Sequence, residues 1–322
     1  MAVTVTQLVA FLTVARRGSV TAAAKELVVT QPSVSAAINA LQRELGVTLM
    51  ERDGRNLRPT VAGRAYVPYA AQVLGLLERG ALMAREAAAD ADHTLRIGAV
   101  TTAGEHLVAP LLRAFREARP NLEIALQVAN RGEILQRLLD HEVDVAITGR
   151  IPPELPLATR PFAPNEFVVI TAPSDPLAGA RGVPLEEVTR RVWLLREVGS
   201  GTRTLCEEYL ASHGLAPRTL TLGSNAAIRQ AVALRLGVAL QSQCAVELEL
   251  ELGMLATIHP REHPPARAWH ITHSEVGPSG GLVAAFVQFI DSPAAQLALR
   301  QATAERSEAA DGSPLRTTTP AG

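Results

Sequence analysis

At 322 residues, with 47% hydrophobic and 20% charged side chains, the chain has room for two or three globular domains and is too apolar to be a disordered protein. A formal net charge of −1 gives no overall attraction to nucleic acid, and two cysteines, Cys206 and Cys244, exclude a disulfide framework. No charged start leads into an export-type apolar run, and no uncharged apolar run approaches the ~20 residues of a membrane span, so a cytoplasmic, non-membrane protein is expected.

The predicted elements begin with a helical stripe of Leu8, Phe11, Leu12 and Ala15, ended at Gly18-Ser19, where Ser19 can cap the next helix. Residues 21–45 then read TAAAKELVVTQPSVSAAINALQREL, two short helical patterns meeting at Val28-Val29-Thr30. The first presents an alanine face that another helix can approach closely. The second starts at Gln31-Pro32, and proline suits a first helical turn because its missing N–H needs no partner there. Its apolar stripe is Val34, Ile38, Leu41 and Leu45. Its opposite face carries Pro32, Ser33, Ser35, Ala36, Asn39 and Arg43, small and polar, as the floor of a major groove requires. Two helices joined this tightly form a helix-turn-helix, or, if nothing flanks them, a plain helical hairpin. The flank decides. Residues 48–58 read as a hairpin around Asp53-Gly54 and carry Arg52, Arg55 and Arg58. Residues 1–58 hold seven basic and four acidic side chains, a local +3.

Thr60 can cap a long helix reaching about residue 89, in which Val67, Ala70, Leu74, Leu77, Ala81 and Ala84 recur at coiled-coil spacing. That spacing predicts a dimer-forming linker helix, followed by a polar hinge at 89–93. From Leu95 onward strands and helices alternate, the pattern of an α/β domain with a mostly parallel sheet. Strands are expected at 95–100, 122–128, 143–148, 166–170, 192–195 and 237–240, with one helix over 101–119 and a final helix over 281–290. Several helices open at the carboxyl ends of strands, at Thr101-Thr102, Asn130-Arg131, Ser200-Gly201-Thr202-Arg203 and Ser224-Asn225. In open α/β sheets that edge binds ligands, and helix N-termini favour anions. Arg131, Arg150 and Arg203 add paired donors for a carboxylate or phosphate. Each Ser, Thr or Asn alone is an ordinary cap; their shared position argues for a pocket.

Two other patterns compete for a chemical role. Gly277-Pro278-Ser279-Gly280-Gly281 matches G-x-S-x-G, but a nucleophile elbow needs a strand directly before the serine, and the preceding residues read as loop. His259, His263, His270 and His273 lie close in sequence without metal-ligand spacing and with prolines between them. No catalytic set, no metal and no cofactor is therefore expected.

The stretch QLVAFLTVARRGSVTAAAKELVVTQPSVSAAINALQRELGVTLMERDGRNLRPTVAG resembles the N-terminal module of LysR-type transcriptional regulators. The two α/β halves joined by crossing segments resemble the periplasmic-binding-protein fold of the effector domain in that family. REVGSGTRTLCEEYL and LGSNAAIRQAVALRLGVAL are similar to the branch of Calvin-cycle operon regulators, although that branch usually has Pro where Val198 stands. The resemblance implies a winged helix-turn-helix over 1–59, a linker helix over 60–92, an effector-binding domain over 93–304 and a disordered tail over 305–322. Within the effector domain it implies one half at about 93–162 and 269–304 and another at about 163–268. It implies base contacts from Gln31, Pro32, Ser33, Ser35 and Asn39, and phosphate or minor-groove contacts from Thr30, Arg52 and Arg55. It further implies a pseudo-palindromic operator in double-stranded DNA, a homodimer or homotetramer, and a small-molecule effector, which the helix starts and arginines named above lead one to expect as an anion bound in the cleft. The rival reading is a solute-binding or enzymatic α/β domain with a helical N-terminal extension.

Overall fold

Helix α1 (Val5–Arg17) begins with a capping box: the Thr4 hydroxyl accepts from the Gln7 amide, and the Gln7 side chain accepts from the Thr4 N–H. Ser19 caps α2 (Val20–Glu26), and Thr30 caps α3 (Gln31–Leu45), which carries Pro32 in its first turn. Gly18 and Gly46 end α1 and α3 with φ of +66° and +69°, a conformation that costs glycine nothing. Strands β1 (Met50–Asp53) and β2 (Asn56–Pro59) pair antiparallel, with Asp53 opposite Asn56. The computed structural model describes residues 3–53, 56–88, 94–276 and 281–300. The wing turn with Arg55, the hinge 89–93, most of the G-x-S-x-G segment and the expected tail lie outside them. Leu8, Phe11, Val14, Ala23, Val34, Ile38 and Leu41 close one core, so the predicted stripes of α1 and α3 face each other.

Helix α4 (Val61–Ala88) is capped by Thr60, whose hydroxyl accepts from the Gly63 amide at 2.9 Å and donates to the Thr48 carbonyl at 2.7 Å. The predicted seam divides here. Val67, Ala70 and Leu74 pack into the core of their own winged module. Tyr69, Val73 and Leu77 form a separate outward stripe, 66%, 47% and 52% exposed, with Ala81 and Ala84 exposed further along. The sequence pattern merged two apolar faces of one helix into a single stripe.

The described residues within 94–138 and 143–300 form a second compact unit of two α/β halves. In one half, β3 (Thr94–Val100) runs parallel to β4 (Glu123–Ala129) and to β5 (Val145–Thr148). Helices α5 (Thr101–His106), α6 (Val108–Glu117) and α7 (Arg131–Leu139) connect them. A single helix over 101–119 is not what forms: the chain breaks at Leu107, because Pro110 has no N–H for the His106 carbonyl. Strand β6 (Leu157–Asn165) was not expected from its sequence, which contains Pro161 and Pro164. It tolerates them as an edge strand, the sheet order being β4-β3-β5-β13-β6 once the returning strand β13 (Arg267–Ser274) is included.

In the other half, β7 (Phe167–Thr171), β8 (Arg181–Val183), β11 (Ala239–Ser242) and β12 (Ala256–Pro260) make a four-stranded sheet, with β9 (Trp193–Leu195) and β10 (Thr219–Thr221) paired beside it. Helices α8 (Leu185–Val188), α9 (Gly201–Ser212), α10 (Asn225–Ala233) and α11 (Glu247–Glu251) belong to this half. Strand β13 (Arg267–Ser274) crosses back to pair antiparallel with β5 and β6, and α12 (Gly281–Ile290) follows. Leu95, Ile97, Phe115, Ile147 and Phe286 fill the first core; Val169, Trp193, Leu240 and Ile258 fill the second.

Candidate functional site

The outer face of α3 leaves Gln31, Pro32, Ser33 and Asn39 exposed and Ser35 half-buried, while Val34, Ile38 and Leu41 are buried. Thr30 is exposed and already employed: its hydroxyl pairs with the Ser33 hydroxyl at 2.8 Å and caps the helix. Gln42 braces α3 to the wing, its Oε1 accepting from the Leu49 and Met50 amides at 2.8 and 3.1 Å. The cations of this module sort into two groups. Arg16 and Arg17 both bind Glu26, and Arg58 binds Glu51 and approaches Asp53. Lys25, Arg43 and Arg52 are exposed and make no ion pair among the described residues. Arg52 therefore presents an uncompensated charge on the wing, and Arg58 does not.

In the α/β unit, β-strand ends and the helix starts at Thr101, Arg131 and Ser200 enclose a cavity of about 60 Å³. Thr101, Thr102, Arg131, Ser200, Gly201 and Thr202 line it. Three residues named from the sequence stand elsewhere. Arg203 turns away, donating to Glu207 at 2.8 Å, to the Arg196 carbonyl at 3.2 Å and to Thr221 at 3.3 Å. Arg150 lines a neighbouring cavity. Asn225 is fully buried behind the wall, donating to Thr102 and Glu105 at 3.1 and 3.2 Å.

Arg196 takes the place that Arg203 was given. It lines the cavity at 4% exposure. It donates to both Glu197 oxygens at 2.8 and 2.9 Å, to the Asn225 amide oxygen, and to Thr101 at 3.5 Å. Both arginines flank the same Gly-Ser-Gly-Thr turn. The distinction lay in the helix register: Arg203 sits inside α9 and is carried to its far side, whereas Arg196 directly follows β9 at the sheet edge.

Further contacts tie the halves together. The Gly132 amide donates to the Gly199 carbonyl at 3.1 Å, and Arg131 donates to Thr204 at 3.2 Å. Gly199 has φ +92°, and a Cβ there would stand 3.0 Å from the Asn130 amide oxygen, so the turn needs glycine. At the start of α9, Ser200 is 4% exposed and makes no side-chain capping bond.

Other candidate groups have local occupations. Burial pushes the Cys206 thiol up to about 12, with the Glu207 charge adding to it, which leaves no thiolate for nucleophilic chemistry at neutral pH. His259 bonds Thr257, and the His270 and His273 rings each bond a neighbouring carbonyl. No three His, Cys, Asp or Glu residues come together at metal-binding range among the described residues. Nor, among them, is any single helix long and apolar enough to cross a membrane.

Residues 5–64 match the bacterial regulatory helix-turn-helix protein model of the lysR family, and residues 88–294 match the LysR substrate binding domain. The chain is 35% identical over 274 residues to the HTH-type transcriptional regulator CfxR of Cupriavidus necator, covering 84% of this chain and 86% of that one. It is 32% identical to the RuBisCO operon transcriptional regulator of Allochromatium vinosum, covering 93% and 99%. The regulatory domain of Synechocystis CcmR, solved in complex with 2-PG, superposes with a TM-score of 0.59 at 30% identity, covering 62% of this chain and 96% of that one. A winged helix-turn-helix with a polar recognition face, joined to two α/β halves around a polar cavity and matched along both parts, places the chain in the LysR family of transcriptional regulators.

Proposed function

We propose that this regulator's contact with its operator is set by a small anion held in the cavity between the two α/β halves, and that it acts without catalysis, in the cytoplasm. Ser200 carries the reading. It is the N-cap of a 12-residue helix, its hydroxyl makes no capping bond, and it opens on a cavity walled by Arg131 and Arg196. Free amides at the start of α9, the positive end of its dipole and the Arg131 guanidinium, which is engaged only by neutral acceptors, together favour a carboxylate or phosphate, while Arg196 is held in the wall by Glu197. The complex of the related CcmR domain with 2-phosphoglycolate supports an anion of that size.

Base reading falls to Gln31, Pro32, Ser33, Ser35 and Asn39, and backbone holding to Thr30, Arg52 and Arg55. The stripe of Tyr69, Val73 and Leu77 supports a homodimer on a pseudo-palindromic operator, and such dimers can pair as a tetramer.

The test is calorimetry on the full-length protein with 2-phosphoglycolate, dicarboxylic acids and uncharged analogues, alongside operator shift. Ser200→Ala should weaken the anion about tenfold, the loss of one hydrogen bond to a charged group, and leave ligand-free operator binding intact. If an uncharged analogue binds best, the anion reading fails while the family assignment stands.

A further inference from the structure

Beside the cavity just described lies a larger one, of about 280 Å³, walled on one side by α9 and on another by the segment after β5. Its lining is amphipathic. Ile151 and Leu205 are buried and Phe167 is half-buried, and they give it an apolar floor. Arg131, Arg150 and Arg267 stand at its rim with a single carboxylate, Glu208. Arg267 donates to Glu208 at 3.4 Å, so that charge is compensated. The other two are not. Arg131 spends its guanidinium on neutral acceptors, the Thr204 hydroxyl and the Arg150 carbonyl. The Arg150 side chain has no ion pair or hydrogen bond among the described residues and is exposed.

Asn165 supplies an independent sign. It is 5% exposed and lines this cavity, and its amide oxygen accepts from Ser242. Its amide nitrogen makes no hydrogen bond among the described residues and is a donor available to a ligand in the cavity.

We infer that this outer cavity is a second small-molecule site, which takes an organic monocarboxylate with an apolar body about the size of one ring. The carboxylate meets Arg150 and the Asn165 amide, and the body rests on Phe167, Ile151 and Leu205. The site lies outside the Ser200 cavity and goes beyond the reading proposed for it. Arg131, Asn165, Phe167 and Gly201 line both cavities, so occupancy of one is felt in the other, and the regulator can combine two chemical inputs.

The experiment is calorimetry on the full-length protein with cyclohexanecarboxylate and cyclohexanecarboxamide as probes. The carboxylate should bind saturably and the carboxamide about tenfold more weakly, because the charge-assisted pair is lost. Arg150→Gln should remove most of that difference, whereas Ser200→Ala should leave carboxylate affinity within about twofold. Absence of saturable binding, equal affinity for both probes, an unchanged Arg150→Gln variant, or loss of carboxylate binding in Ser200→Ala would each overturn the proposal.

Discussion

Val28 is the residue whose conformation and chemistry disagree most openly. It lies in the turn before the recognition helix with φ +55°, a region that a β-branched side chain adopts only under strain, and it is 89% exposed, so no packing compensates. Val28→Asn should therefore stabilise the protein by about 1 kcal/mol, read as a higher urea midpoint at unchanged slope. A lower midpoint would mean that the valine makes a contact the exposed turn does not reveal. The wing arginines differ in a second way that only the folded chain makes visible. Arg52 is uncompensated while Arg58 is held by Glu51 and Asp53, so Arg52→Ala should lower the salt slope of operator binding by about 1 and Arg58→Ala by clearly less. Equal slopes for the two variants would remove the distinction. The resemblance set Arg52 and Arg55 apart from Arg58, but the sequence alone offers no physical reason for it, because ion pairing depends on cross-strand register and not on spacing.

Among the elements, the linker helix repays the closest comparison with its sequence. Its apolar repeat was legible, but a one-dimensional pattern cannot say which partner each stripe meets. The N-terminal half of the repeat serves the winged module's own core, and the apolar face left outward is Tyr69, Val73 and Leu77, the stripe proposed for the dimer. Two substitutions separate these roles. Val73→Glu places a charge on the outward stripe and should give folded monomers by sedimentation, with operator affinity lost because a single half-site binds weakly. Leu74→Glu puts its charge against the module's core and should instead lower the melting temperature. If Val73→Glu stays dimeric at micromolar concentration, the stripe is not the interface. The caps, by contrast, were read correctly at Ser19 and Thr60, since capping is a local bond between a side chain and an amide three residues on. Strand β6 escaped for the opposite reason. Its prolines argue against a strand locally, and only its position at the sheet edge makes them acceptable.

Across the whole α/β unit, the residues that could be named from sequence as a set of helix starts turn out to have two jobs. Thr101, Thr102, Arg131 and Ser200 face the cavity, while Asn225 works behind it. Its amide joins Arg196 of one half to Thr102 and Glu105 of the other, inside a buried site where each unmade bond is expensive. An anion that draws the halves together binds the closed arrangement better, and only that difference can shift the regulator between states. The Asn225 bridge already favours closure without a ligand. Asn225→Ala removes it and should cost the closed form about 1–3 kcal/mol. Affinity for the anion proposed to fill the cavity should then fall about tenfold or more, because less of the protein waits in the binding-competent form. The same change should speed amide hydrogen exchange in α5 and α10, the two helices the bridge connects, and leave exchange in the winged module unaltered. A variant with both wild-type affinity and wild-type exchange in those helices would show that closure depends on the Gly132–Gly199 and Arg131–Thr204 contacts alone.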